Sequence, residues 1–388
     1  MTMKLSPFRL ALLMGLVTAA FNGWWYSKPY PILGVALGLI SGLMIFYILK
    51  SGKIERLRRS FFIALATVIA LSLAGLIMFW GPTQFMQWVD HFNPGYYFPG
   101  TGGIGTLQFP HPLVLPAIFW GGAEFLPSVN AWQTQIPGNL ATFALFMVPY
   151  AIILLLFGRA YCGWICPLGG LPEAAASGRR EFVRLDFLRQ KIGINNKFYY
   201  GPLKPWINIL RYSLVLALVL LSIFLGFSLV NLFYPVLWLK LKAFWLVIGI
   251  LGIMAIILPI LTKRRWFCYI CPAGTIINLL DRISPFRLKI NQERCVKCLD
   301  CVNSCRMFAL NPEDVDKGHH QGGSCIKCGR CVEACSEEAI DFYWTDTKFK
   351  VRGPFIALAI TTALSLYVWY TVLLVSIFSR AGDFYWPG

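Results

Sequence analysis

Apolar residues run along this chain in blocks of about twenty with no helical or strand period inside them. Such blocks lie near 8–26, 31–49, 61–80, 139–158, 207–231, 243–262 and 354–378. An uninterrupted apolar run of that length is what a helix needs to cross a bilayer, so the pattern predicts seven spanning helices. The first run follows a short basic start (Lys4, Arg9), and Phe21-Asn22-Gly23-Trp24 is a poor cleavage site, so it is expected to remain as a first helix. Between the runs lie two long polar segments, 159–206 and 263–353. A third connection, 81–137, is rich in Gly, Pro and aromatic residues. Within it Leu113–Gly122 is apolar but too short to span, and suits a position at the membrane surface.

Composition supports a chain solvated mostly by lipid. Of the 388 residues 57% are hydrophobic and 14% charged, against about 25% charged in soluble domains. The net charge of +17 raises the question of nucleic acid, and its distribution answers it. Five Lys and Arg fall in 50–60, eight in 159–206 and fifteen in 263–353, while 81–137 has none. This is the bias of cytoplasmic loops. It predicts N-in, C-out topology in a bacterial inner membrane, the polar module in the cytoplasm, and no nucleic-acid partner.

The chemistry lies in the cysteines. The stretch ERCVKCLDCVNSC places Cys295, Cys298, Cys301 and Cys305 at C-x2-C-x2-C-x3-C, and GSCIKCGRCVEAC repeats the spacing with Cys325, Cys328, Cys331 and Cys335. Four thiolates so spaced hold a [4Fe–4S] cube. In doubled motifs the fourth cysteine of each run serves the other cube. The expected sets are therefore Cys295, Cys298, Cys301 with Cys335, and Cys325, Cys328, Cys331 with Cys305. Tetrahedral zinc does not suit this spacing, and a disulfide framework does not suit the cytoplasm. The Pro that commonly follows the fourth cysteine is replaced by Arg306 and Ser336. Arg294, Lys297, Arg306, Lys327 and Arg330 either offset the clusters' negative charge or are plain solvated charges.

The remaining four cysteines form a second pair of motifs. Arg159-Ala-Tyr-Cys162-Gly-Trp-Ile-Cys166-Pro167 ends the fourth apolar run, and Arg265-Trp-Phe-Cys268-Tyr-Ile-Cys271-Pro272 ends the sixth. Each Pro suits the first position of a new helix, which would put Cys166 and Cys271 at helix N-termini where the dipole favours thiolate. Three readings stay open: four ligands of a third iron–sulfur centre, a thiol–disulfide relay, or structural cysteines. His91 and His111 read as ordinary loop histidines, His319 and His320 as solvated, and GTGGIG lacks the strand and helix of a nucleotide fingerprint.

The joint pattern of C-x3-C-P, C-x2-C-P and two ferredoxin motifs among apolar runs resembles the NapH/NosR-like polyferredoxin-type membrane proteins. The resemblance covers roughly residues 139–345. It implies electron transfer between the quinone pool and a partner reductase, with two [4Fe–4S] clusters and a quinone as cofactors. No S/T-G-A-T acceptor for a covalent flavin occurs. The expected architecture is a polytopic α-helical membrane protein carrying an inserted two-cluster, bacterial-ferredoxin-like α+β module. Its parts are a three-helix segment (1–80), an outside loop (81–137), a membrane core (138–284), the ferredoxin domain (285–350) and a last helix (351–388). The competing functions are metal reduction or metallocentre maturation, with copper the leading metal, and an iron–sulfur redox sensor.

Overall fold

A computed structural model describes residues 6–25, 31–65, 67–68, 151–177, 182–183, 188–194, 197–225, 249, 252–318, 324–345 and 347–367. Residues 81–137, His319 and His320 fall outside the described residues, as do large parts of four of the seven apolar runs.

Helices α1 (Pro7–Trp25) and α2 (Pro31–Ser51) form an antiparallel pair. Their sequences explain the close approach. A Cβ on Gly38 would lie 2.6 Å from the Gly15 carbonyl oxygen, so only glycine lets the backbones meet there. Small polar residues then tie in the helix at 352–367. The Ser41 hydroxyl lies 3.1 Å from that of Thr18, the Thr18 hydroxyl 3.3 Å from that of Thr361, and Asn22 donates to Ser365 at 3.0 Å. Small residues and hydroxyl bonds at helix seams are the packing rule where hydrophobicity cannot drive association. The outer faces show Phe8, Leu12, Leu16, Ile32, Leu39 and Leu43, all more than half exposed. Contiguous apolar surface of this kind marks a membrane or partner contact. Within the described residues Gly34–Ser51 is long and apolar enough to cross a membrane. Pro7–Asn22, Trp206–Ala217 and Ile253–Thr262 are shorter apolar stretches.

Helix α3 (54–65) follows α2 after the left-handed Gly52. The fourth apolar run is helical at 151–157 and turns at Gly158, whose φ is +53°. A short turn of helix (Ala160–Trp164) leads into α4 (Pro167–Ala175), and a hairpin of β1 (Arg189–Ile194) and β2 (Lys197–Leu203) precedes α5 (Pro205–Leu225). The sixth run ends in a π-helical turn (Ile253–Ile257) and Leu258–Thr262, then repeats the earlier design: a short helix (Trp266–Ile270) and α6 (Pro272–Leu280).

The ferredoxin module is bracketed by β3 (Phe286–Ile290) and β4 (Ile340–Trp344), antiparallel with Phe286 opposite Trp344 and Ile290 opposite Ile340. Phe286, Leu288 and Ile290 alternate inward, as a half-buried strand must. The 352–367 helix starts against this sheet, with Phe355 stacked on Phe342 at a ring distance of 4.6 Å. Trp164 and Phe286 pack on the same Phe355 ring. One apolar cluster thus joins the iron–sulfur module to the helices.

Candidate iron–sulfur sites

The two ferredoxin motifs fold alike. Lys297, Leu299 and Phe308 have φ of 55°, 62° and 51°. Their counterparts thirty residues on, Lys327, Gly329 and Glu338, have 50°, 81° and 49°. Left-handed residues at these points turn backbone N–H groups inward and make the concave nest that binds anionic groups, iron–sulfur centres included. The amides reach the sulfurs: Lys327 N–H donates to Cys325 Sγ at 3.3 Å, Ala309 to Cys305 at 3.4 Å and Ala339 to Cys335 at 3.3 Å.

The eight thiols are free and sort into two neighbourhoods. Burial pushes Cys301 up to about 12, and the thiols that raise it further are Cys295, Cys298 and Cys335. Burial likewise pushes Cys331 up, helped by Cys325, Cys328 and Cys305, with Cys301 of the other set last. The fourth cysteine of each run therefore lies beside the first three of the other. Cys325 and Cys328 are pushed up to about 11, chiefly by burial. Thiols so crowded ionise only where a metal supplies the compensating charge. Among the described residues no three of His, Cys, Asp or Glu are close enough to hold one metal ion. The donor set fits iron–sulfur cubes.

The other four cysteines also come together. Cys162 lies within electrostatic reach of Cys166, Cys268 and Cys271. Cys166 and Cys271 are the N-cap residues of α4 and α6, each followed by Pro at the first helical position, as the sequence predicts. The charge state departs from the helix-dipole expectation. Burial pushes Cys271 up to about 11 although the Gly274 and Ala273 amides donate to its sulfur. Cys162 is pushed well above the ordinary thiol value, by burial first and Cys166 second.

Buried ions surround these motifs; the sequence pattern pointed to Arg159, Arg265, Arg306 and Lys327 among them, but not to Arg58 or Glu173, nor to Asp281, the partner of Lys327. Glu173 on α4 is 2% exposed at its side chain and receives Arg58 at 3.1 Å, Arg265 at 2.9 Å and Arg306 at 3.8 Å. Burial works against its charge, but the three guanidiniums outweigh it and hold Glu173 down at about 2. Arg58 also donates to the Gly163 carbonyl. Lys327, between two ferredoxin cysteines, is buried and paired with Asp281 at 2.9 Å. Arg294 and Lys297 are exposed, and Lys297 pairs with Asp316 at the surface. Of the cations flagged in sequence, Lys327 and Arg306 are thus internal, while Arg294 and Lys297 are solvated.

Residues 139–195 and 243–291 match a 4Fe-4S binding domain family, and residues 294–340 a 4Fe-4S dicluster domain family. An uncharacterized protein of Methanocaldococcus jannaschii is 30% identical over 230 residues, which are 56% of this chain and 84% of that one. The ferredoxin-type protein NapH of Haemophilus influenzae is 28% identical over 244 residues, 60% of this chain and 71% of its own. The chain belongs to the NapH/NosR-like polyferredoxin family of iron–sulfur proteins. YccM of Escherichia coli is 26% identical over 177 residues, 44% of this chain, and the match spans about half (48%) of its length. No solved structure matches. The two domain families and the ferredoxin-type relatives support iron–sulfur electron transfer as the chemistry of the site.

Proposed function

We propose that this protein relays single electrons between the quinone pool and a partner reductase through two [4Fe–4S] clusters. One is held by Cys295, Cys298, Cys301 and Cys335, the other by Cys325, Cys328, Cys331 and Cys305. The observation that carries the reading is the paired thiol neighbourhoods, fused by the Phe355 cluster to helices with exposed apolar faces. When bound, such clusters accept and release one electron at a time, at potentials set by charge, hydrogen bonds and exposure. The chain's own contribution is to aim the Lys327, Ala309 and Ala339 amides at sulfur and to bury Lys327 and Arg306 nearby, which favours the reduced state.

In anaerobic membrane vesicles containing the protein, adding a quinol is expected to bleach the visible iron–sulfur absorption. Bleaching by dithionite but not by quinol would remove the quinone from the reading and leave metal reduction or sensing.

The same proposal places seven helices in a bacterial inner membrane with the ferredoxin module in the cytoplasm. The support is the absence of Lys and Arg from 81–137 against fifteen in 263–353. A reporter active only in the periplasm should work when fused at Gly102 and be silent at Gly322. The opposite pattern would put the module in the wrong compartment.

A further inference from the structure

The two Cys–Pro motifs are built as halves of one site. Arg159, three residues before Cys162, donates to the carbonyl of Cys268 at 3.0 Å, and Arg265, three before Cys268, donates to the carbonyl of Cys162 at 3.1 Å. Each arginine thus grips the opposite motif. Each motif also closes on a glycine three residues past its second cysteine. A Cβ on Gly169 would lie 2.7 Å from the Cys162 oxygen, and one on Gly274 3.1 Å from the Cys268 oxygen. This reciprocity brings four thiols from two separate helix ends to one place.

Charge balance bears on what those thiols hold. Arg58, Arg211, Arg265 and Lys327 are all buried around the motifs, and the carboxylates paired with them are Glu173 and Asp281. Arg211 instead donates to the Ser324 and Tyr212 hydroxyls and lies over the Tyr269 ring. Arg265 Nη2 points at Cys268 Sγ from 3.3 Å, while its Nε has no hydrogen-bond partner. Four neutral thiols would leave that positive charge uncompensated in a dry interior. Four thiolates on a cluster core carry net negative charge and supply what is missing. A disulfide relay needs an accessible thiol of low pKa, whereas Cys162, Cys166 and Cys268 are buried.

The site abuts one ferredoxin motif. A Cβ on Gly163 would strike the Ile326 oxygen at 2.4 Å, and Trp164 Nε1 donates to the Lys327 carbonyl at 2.9 Å. Arg265 feels Cys162, Cys268 and Cys328 together. Cys298 in the other motif is exposed.

We propose that Cys162, Cys166, Cys268 and Cys271 ligate a third iron–sulfur cluster. It is the membrane-proximal end of a chain that continues to the Cys325–Cys328–Cys331–Cys305 cluster and ends at the exposed one near Cys298. The order rests on the two-cluster reading above; the third site itself does not.

The test counts iron, acid-labile sulfide, zinc and copper in anaerobically purified full-length protein. The count is repeated on a variant with all four cysteines changed to Ser. The wild type should carry about ten to twelve irons and the variant about eight, since a set of four cysteines holds either a two-iron or a four-iron cluster. About eight irons in the wild type overturns the proposal, with or without a zinc or copper ion, and so does a Cys162–Cys166 disulfide found by mass. If the fourfold variant also loses ferredoxin iron, Cys271→Ser, the least buried substitution, should lose about two to four irons. An unchanged count there sinks the third site. Fewer than eight irons in a wild type that keeps the third site's share would instead count against the ferredoxin pair.

Discussion

A Cys305→Ser variant is expected to lose the cluster bound by Cys325, Cys328 and Cys331 and to keep the one in its own motif. Cys305 sits in extended backbone after its short helix, and the thiol it raises by proximity is Cys331 of the other run. Serine is a far poorer ligand to iron than thiolate, so about four irons should go, the complement of one cube. Cys335→Ser should remove the other cube, because Cys335 is the thiol beside Cys295, Cys298 and Cys301. Double variants make the assignment decisive. Adding Cys328→Ser to Cys305→Ser should cost no further iron, as both act on one cluster, whereas adding Cys298→Ser should empty both. The spin–spin interaction between the two ferredoxin clusters of the reduced wild type should be visible by electron resonance and be lost in each single variant. The reverse pattern of additivity would mean that each run keeps its own fourth ligand.

Glu173→Gln is expected to be the most destabilising single change outside the cysteines. The side chain is 2% exposed and is met by Arg58, Arg265 and Arg306. Neutralising one member of a buried ionic group strands the others and costs about 3–5 kcal/mol. Those arginines hold three separate pieces: Arg58 on α3, Arg265 before Cys268 and Arg306 after Cys305. The loss should therefore appear as iron release at lower temperature in anaerobic detergent solution. The sign of the pH dependence follows from the carboxyl being held at about 2 against an ordinary 4.5. A depressed carboxylate pKa stabilises the fold fully above the unfolded value and loses that contribution as pH falls from about 4.5 towards about 2. The gap between wild type and Glu173→Gln should accordingly be flat from about pH 6 to 8 and narrow only in acid. A gap that changes across neutral pH would mean that Glu173 is not held as a carboxylate by these arginines.

Much of the candidate site was legible in the residues because cluster ligation is local. The C-x2-C-x2-C-x3-C spacing is set by the loop that wraps a cube, so the residues themselves name eight candidate ligands and the exchange proposed between them. The left-handed turns at Lys297, Leu299, Lys327 and Gly329 follow from the same constraint. Pro167 and Pro272 announced α4 and α6 through a fixed φ and a missing donor. The apolar runs announced helices, and α1 and α2 lie where two of them fall. What no spacing could show was burial, since desolvation is a sum over everything the fold brings near. The helix-end position of Cys271 suggested a lowered thiol pKa. In the fold it rises to about 11, because removal from water outweighs two backbone donors. Nothing in the spacing of residues marks Glu173, on which three arginines from distant segments meet. The cross-grip of Arg159 and Arg265, and the seating of Gly163 against Ile326, join residues about a hundred or more apart in the chain. Tertiary packing alone decided those contacts, because each depends on how distant backbones approach and not on the order of residues within either motif.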